Sequence, residues 1–230
     1  MRIPVAPLAA LLAVLLSALP LDAAAAPFSV RLGIEKLVLD APPGFSDTTE
    51  LASPRLASVS ETLTPASNRI LIFALSDDDV RRFTLGDPVD IRRYMILVTP
   101  KGLEHQRVSQ EMFSAEVGSS LQNLGPRVEA PDLAKFLEKE PMGKAYLLAE
   151  LKREPGTVSV LQASRYLDRP ATTFWGSPTP RYLCFTTTLF LVRGKILQIR
   201  VYSFYETPAD IDWLKAITQR WQDDLLRLNR

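Results

Sequence analysis

Apolar positions change their spacing along the chain, and each spacing predicts an element. Glu35 to Ala41 alternates as a strand and ends at Pro42-Pro43-Gly44. Ser53 followed by Pro54 reads as an N-cap with proline at the first helical position, opening a short helix to about Leu63. Asn68 to Leu75 is a near-continuous apolar run between turn residues, the pattern of a strand buried on both faces. Ser76 caps a second short helix with Asp77, Asp78 and Asp79 in its first turn, where carboxylates favour the helix dipole. The triplet lacks the alternating ligands and central glycine of a calcium loop. Asp90 to Val98 reads as a strand, His105 to Leu124 as a longer helix, and Pro131-Asp132 as the start of a short one.

The second half is expected to be β until its end. Residues 145–152 and 157–167 flank Pro155-Gly156, a type II turn signal, and should pair as a hairpin. Tyr182–Arg193 and Ile196–Tyr205 should form another, with Gly194-Lys195 as a type II′ turn that sets Cys184 opposite Tyr205 and Phe190 opposite Ile199. Both faces of that hairpin are largely apolar, so it should be covered on both sides or line a cleft. The last segment is a helix with Thr207 at N-cap, Pro208 at N1 and Asp210 at N3. Trp213, Leu214, Ile217, Trp221 and Leu225 recur on it at threes and fours, which puts both tryptophans in the core. The fold class expected is α+β: a mostly antiparallel sheet of six to seven strands, flanked by helices and closed by a long C-terminal amphipathic helix.

The first residues differ in kind. Arg2 precedes an apolar run from Pro7 to Leu19, shorter than the roughly 20 residues that span a bilayer. Pro20 breaks it, and Ala23 and Ala25 supply small residues for a peptidase cut. The expectation is a signal peptide over 1–25, a single α+β domain over 26–230, and a periplasmic or secreted protein with no membrane-spanning segment once the signal is removed.

Composition narrows the function classes. The 230 residues are 47% hydrophobic and 23% charged, near globular averages, which excludes a disordered or fibrous chain. A net charge of +1 gives no field to steer the protein onto nucleic acid. One Cys and one His exclude an intramolecular disulfide and a metal cage of cysteines and histidines, so no cofactor or metal is expected.

Three segments resemble a known architecture: Leu37–Phe45, Arg193–Tyr205 and Asp210–Leu226. The order of strand, helix, strands, helices, antiparallel meander and long final helix resembles the α/β sandwich of PsbP-type photosystem extrinsic proteins and DcrB-type bacterial envelope proteins. The chain also looks similar to exported Gram-negative proteins of no known function. The resemblance implies an accessory or binding role rather than catalysis.

The candidate chemistry agrees with that order of preference. His105 and Ser109 would share a helix face as a base and nucleophile, but there is no nucleophile elbow and no orienting acid. Cys184 lies mid-strand on an apolar face, where cysteine behaves as a small hydrophobe. Arg81-Arg82-Phe83 and Arg92-Arg93-Tyr94 interleave basic and aromatic residues, a pattern suited to phosphates or anionic heads. In a strand, though, Arg92 and Arg93 point to opposite faces. Asp168 to Arg181 is a long, proline-rich connection carrying Phe174 and Trp175, which either plug the sandwich or anchor a partner. The binding candidates are Phe174, Trp175, Arg92, Arg93 and Tyr94. The expected partner is an envelope protein or a small ligand, with the chain itself a monomer or weak oligomer. The alternatives are a hydrolase whose residues converge only in space, and a structural subunit of an envelope complex.

Overall fold

The computed structural model describes residues 26–87, 89–168 and 179–230. The signal-peptide reading therefore falls outside the described residues. So do Phe174 and Trp175.

Seven strands form one antiparallel sheet in the order β3-β4-β5-β9-β8-β7-β6. They are β3 (Phe45–Asp47), β4 (Asn68–Ser76), β5 (Arg93–Pro100), β6 (Ala145–Glu154), β7 (Thr157–Asp168), β8 (Thr179–Val192) and β9 (Lys195–Phe204). A separate hairpin joins β1 (Phe28–Leu32) to β2 (Glu35–Leu39). The helices are α1 (Pro54–Thr62), α2 (Asp77–Leu85), α3 (Gln110–Gln122), α4 (Leu133–Glu138) and α5 (Pro208–Leu228). This is the expected α+β class with its closing helix. None of the helices among the described residues is long and apolar enough to cross a membrane.

The period-2 alternation of the central strands sorts their side chains onto two covered faces. On one face Ile72, Ala74, Met95, Leu97, Cys184, Phe190, Ile199 and Val201 pack under α5, α4 and the β1–β2 hairpin. Leu214, Trp221 and Leu225 supply the helix side, and the Trp221 indole donates to the Asp40 carbonyl at 2.8 Å. The opposite face is covered in parts. Leu56 of α1 meets Phe73 and Leu75, and Phe113 and Val117 of α3 meet Val158 and Ile196. On this second face the β8–β9 hairpin is covered at Ile196 and Tyr202, while Phe185, Leu189, Leu191 and Phe204 are half-buried.

Several local signals act as the residue types require. Ser53, Ser76 and Asp132 each accept a backbone N–H at the start of α1, α2 and α4. The Asp210 carboxylate accepts from the Glu206 and Thr207 amides, both at 3.0 Å, which closes the first turn of α5.

Four expectations need correction. The β8–β9 turn is Arg193-Gly194, not Gly194-Lys195; both residues have positive φ, 49° and 76°. Two positive φ values suit a type I′ turn, whose twist matches the flanking strands. The register moves accordingly, with Cys184 opposite Ser203 and Phe190 opposite Leu197. Residues 105–109 are not helical: α3 begins at Gln110 because Ser109 caps it, accepting from the Met112 amide at 3.2 Å. β5 starts at Arg93 rather than Asp90. Trp213 is half-buried, whereas Trp221 is 1% exposed.

Candidate functional site

The residues that start β5, end β9 and start α5 meet at one end of the sheet. With Phe45 of β3 and the first two turns of α2 they line a cleft of about 800 Å³. Arg93, the first residue of β5, reaches Asp210 of α5 at 3.1 Å. Its guanidinium lies 4.2 Å from the centre of the Trp213 ring, a cation–π distance. Phe45 tilts against the same indole with ring centres 6.1 Å apart. Arg93 is thereby fixed by a charge and a ring at once, and that pair forms a set floor.

The electrostatics of Asp210 follow from this. Burial alone pushes its carboxyl up. The Thr207 and Glu206 amides and the Arg93 guanidinium outweigh that and hold it below the ordinary aspartate value. Arg92 pairs with Glu206 near the mouth, and that hydrogen bond raises the arginine further. Asp78, Asp79 and Arg82 of α2 line the opposite wall, and Asp90 pairs with Arg181 at 3.3 Å. Arg181 also lies 5.0 Å from the centre of the Phe204 ring.

The structure brings two of the sequence candidates together. Arg92 and Arg93 both line the cleft, because Arg92 precedes the strand and is not bound by its alternation. Each has a carboxylate partner already. Tyr94 turns to the other face, stacked on Tyr202 with ring centres 4.6 Å apart, and burial drives its phenol far above the usual tyrosine range. Periodicity placed Trp213 in the core and Asp210 only at a cap; both take part in the cleft. The readable signal was that Trp213 directly precedes Leu214, at the margin of the apolar stripe rather than in its middle.

The two hydrolase candidates fall on different local structures. Ser109 caps α3, and His105 is exposed in the preceding loop, so the two do not share a helix face. Cys184 is buried, and burial with the nearby Asp210 charge pushes its thiol up to about 12. Among the described residues no group of three or more His, Cys, Asp and Glu is arranged to hold a metal ion.

No family model and no curated protein matches the chain. Among solved structures, a Mog1 point mutant is 15% identical, with a TM-score of 0.34, covering 89% of this chain and 93% of that one. The Saccharomyces cerevisiae Ran-binding protein Mog1p is 14% identical, with a TM-score of 0.34, covering 89% of this chain and 92% of its own.

Proposed function

We propose that this chain is an exported accessory protein of the bacterial envelope that binds a protein partner in the Arg93–Trp213 cleft. One observation carries the reading: Arg93 is fixed between the Trp213 ring and the Asp210 carboxylate beneath a rim of exposed charges. Aromatic and arginine anchors at the centre with a polar rim are the anatomy of protein interfaces. The lining holds three arginines, Arg82, Arg92 and Arg93, against five carboxylates, Asp78, Asp79, Asp90, Glu206 and Asp210. Arg181 and Arg81, outside the lining, pair with Asp90 and Asp78, so the charges around the cleft balance, and it offers a partner segment both signs around the Trp213 ring.

Export rests on the Arg2 n-region, the short apolar run and the Ala23–Ala25 cut. N-terminal sequencing of the mature protein is expected to begin at Ala26, and a retained Met1 overturns export. For the cleft, a photo-crosslinking residue at position 92 is expected to give one discrete adduct in the envelope. The same residue at the exposed Met112 should give none. The adduct should fade with salt and vanish in a Trp213→Ala protein that still folds. Equal labelling from both positions overturns the reading.

A further inference from the structure

On the other flank of the start of α5 lies a second concavity of about 520 Å³, between that helix, the β6–β7 edge and the segment leading to α4. That volume is within the roughly 300–1,000 Å³ of small-molecule sites. Its walls are apolar: Leu133, Leu148, Leu161, Tyr205 and Ile211, with Ala149 between.

The edge of the sheet is shaped to make it. In a regular strand, neighbours point to opposite faces. Here Leu148 and Ala149 both line the groove, because the register of β6 slips between Leu147 and Ala149. A bulge of this kind re-aims a side chain. The incoming segment is tied across it: the Val128 amide donates to the Leu147 carbonyl at 2.8 Å, and Arg127 Nε to the Leu148 carbonyl at 3.0 Å.

Two cations stand at the rim, Arg127 and Lys215, beside one carboxylate of the lining, Glu129, while the Asp132 charge reaches the Tyr205 hydroxyl. Among the described residues Lys215 pairs with Asp212 of its own helix alone, at 3.7 Å and exposed, and Arg127 has no carboxylate partner. The Tyr205 hydroxyl makes no hydrogen bond to a described residue either, so a donor is free at the wall. An apolar trough with cationic and hydroxyl donors at its edge matches one occupant.

We propose that this groove binds a single-chain anionic amphiphile, a free fatty carboxylate, with its chain along Leu148, Leu161 and Ile211 and its head at Lys215 and Arg127. The site is separate from the charged cleft, so either proposal can fail alone.

Calorimetric titration of residues 26–230 with dodecanoate below its micellar concentration tests it. The expected result is saturable one-to-one binding, at least tenfold tighter than for dodecyltrimethylammonium. Shortening the chain should weaken it about fourfold per methylene. Lys215→Glu, an exposed change, should reverse the preference between the two heads. Ala149→Phe fills the trough and should abolish binding with the melting temperature kept; Ile211→Phe does the same from the helix side. No saturation, equal affinity for both heads, or binding that survives both filling variants overturns the proposal. Co-sedimentation with anionic phospholipid vesicles in the absence of dodecanoate binding also overturns it, by assigning the rim to a membrane surface.

Discussion

The hydroxyls of Thr186 and Thr218 meet at 2.6 Å in the middle of the interface between β8 and α5, both fully buried. The long helix therefore does not lie on the sheet by apolar contact alone. One polar pair sets which residue of α5 stands over which residue of β8, and a slide of the helix by one turn would leave two hydroxyls without partners in an apolar layer.

That pair gives the first prediction. Thr186→Val or Thr218→Val alone strands the remaining hydroxyl, at a cost of about 1–3 kcal/mol. The double variant removes both groups and should regain most of the loss. Denaturant unfolding of the four proteins measures the coupling; additive losses would show that each hydroxyl has another partner.

Lys195 is buried at the start of β9, where its ammonium donates to the Glu104 carbonyl at 2.9 Å and the Gln106 carbonyl at 2.7 Å. Gly33 of the β1–β2 turn has a φ of +59°, and a Cβ there would stand 3.0 Å from the Glu104 oxygen. One lysine thus fastens the loop before α3, and one glycine lets the hairpin close over it. Lys195→Met keeps the length and leaves both carbonyls without their donor. It should destabilise by about 2 kcal/mol and speed amide exchange in residues 104–108. Gly33→Ala should also lower the melting temperature, since its backbone conformation is costly for a side chain. An unchanged exchange pattern in Lys195→Met would mean that the loop is held otherwise.

Cys184 links burial to pH. Its thiol is pushed from 9.0 to about 12, first by burial and then by Asp210. The neutral form is the one the fold accepts. Its contribution to stability is complete below pH 9, where the unfolded thiol is still protonated, and is lost as pH rises through the interval to about 12. Wild type should lose stability between pH 9 and 11 more steeply than Cys184→Ala. The tyrosines are common to both proteins and cancel in the comparison. Thiol labelling should be slow in buffer and fast in denaturant; parallel pH curves with rapid native labelling would contradict the burial.

Much of this fold is legible in the sequence wherever a signal is local. Ser53-Pro54, Ser76 with its three aspartates, Pro155-Gly156 and Thr207-Pro208 mark true boundaries, because a cap or turn is settled within four residues. The β8–β9 turn slipped because its choice is made elsewhere. Arg193 adopts a positive φ while its guanidinium donates to the Asn229 and Lys36 carbonyls, at 3.0 and 3.2 Å, in partners far away in sequence. The slip shifts the register by a full pleat, so every side chain keeps its face, and the division of the hairpin into two faces survived. Residues 105–109 are loop although they read as the start of a helix, because the bonds from Lys195 that hold the Glu104 and Gln106 carbonyls are not local. The cleft was half legible: Arg92 and Arg93 stand out as a pair, while their partners Glu206, Asp210 and Trp213 come from more than a hundred residues away.

The two tryptophans of α5 should separate by measurement. Trp221 is 1% exposed and hydrogen-bonded to the Asp40 carbonyl, so Trp221→Ala empties the core and should cost about 3–5 kcal/mol. Trp213 sits eight residues earlier, half-buried between Phe45 and Arg93 at the wall of the cleft. Trp213→Ala leaves α5 its buried stripe of Leu214, Trp221 and Leu225, so its cost should be clearly smaller. What it removes is the ring that fixes Arg93, leaving that guanidinium held by Asp210 alone. Trp213→Phe keeps an aromatic face and should restore the order of Arg93 in part. The readouts are unfolding free energy for both positions and the Arg93 side-chain Nε–H signal in NMR. A Trp213→Ala loss equal to that of Trp221→Ala would place both rings in the core, and an unchanged Arg93 signal would show that Asp210 suffices to hold the cleft floor.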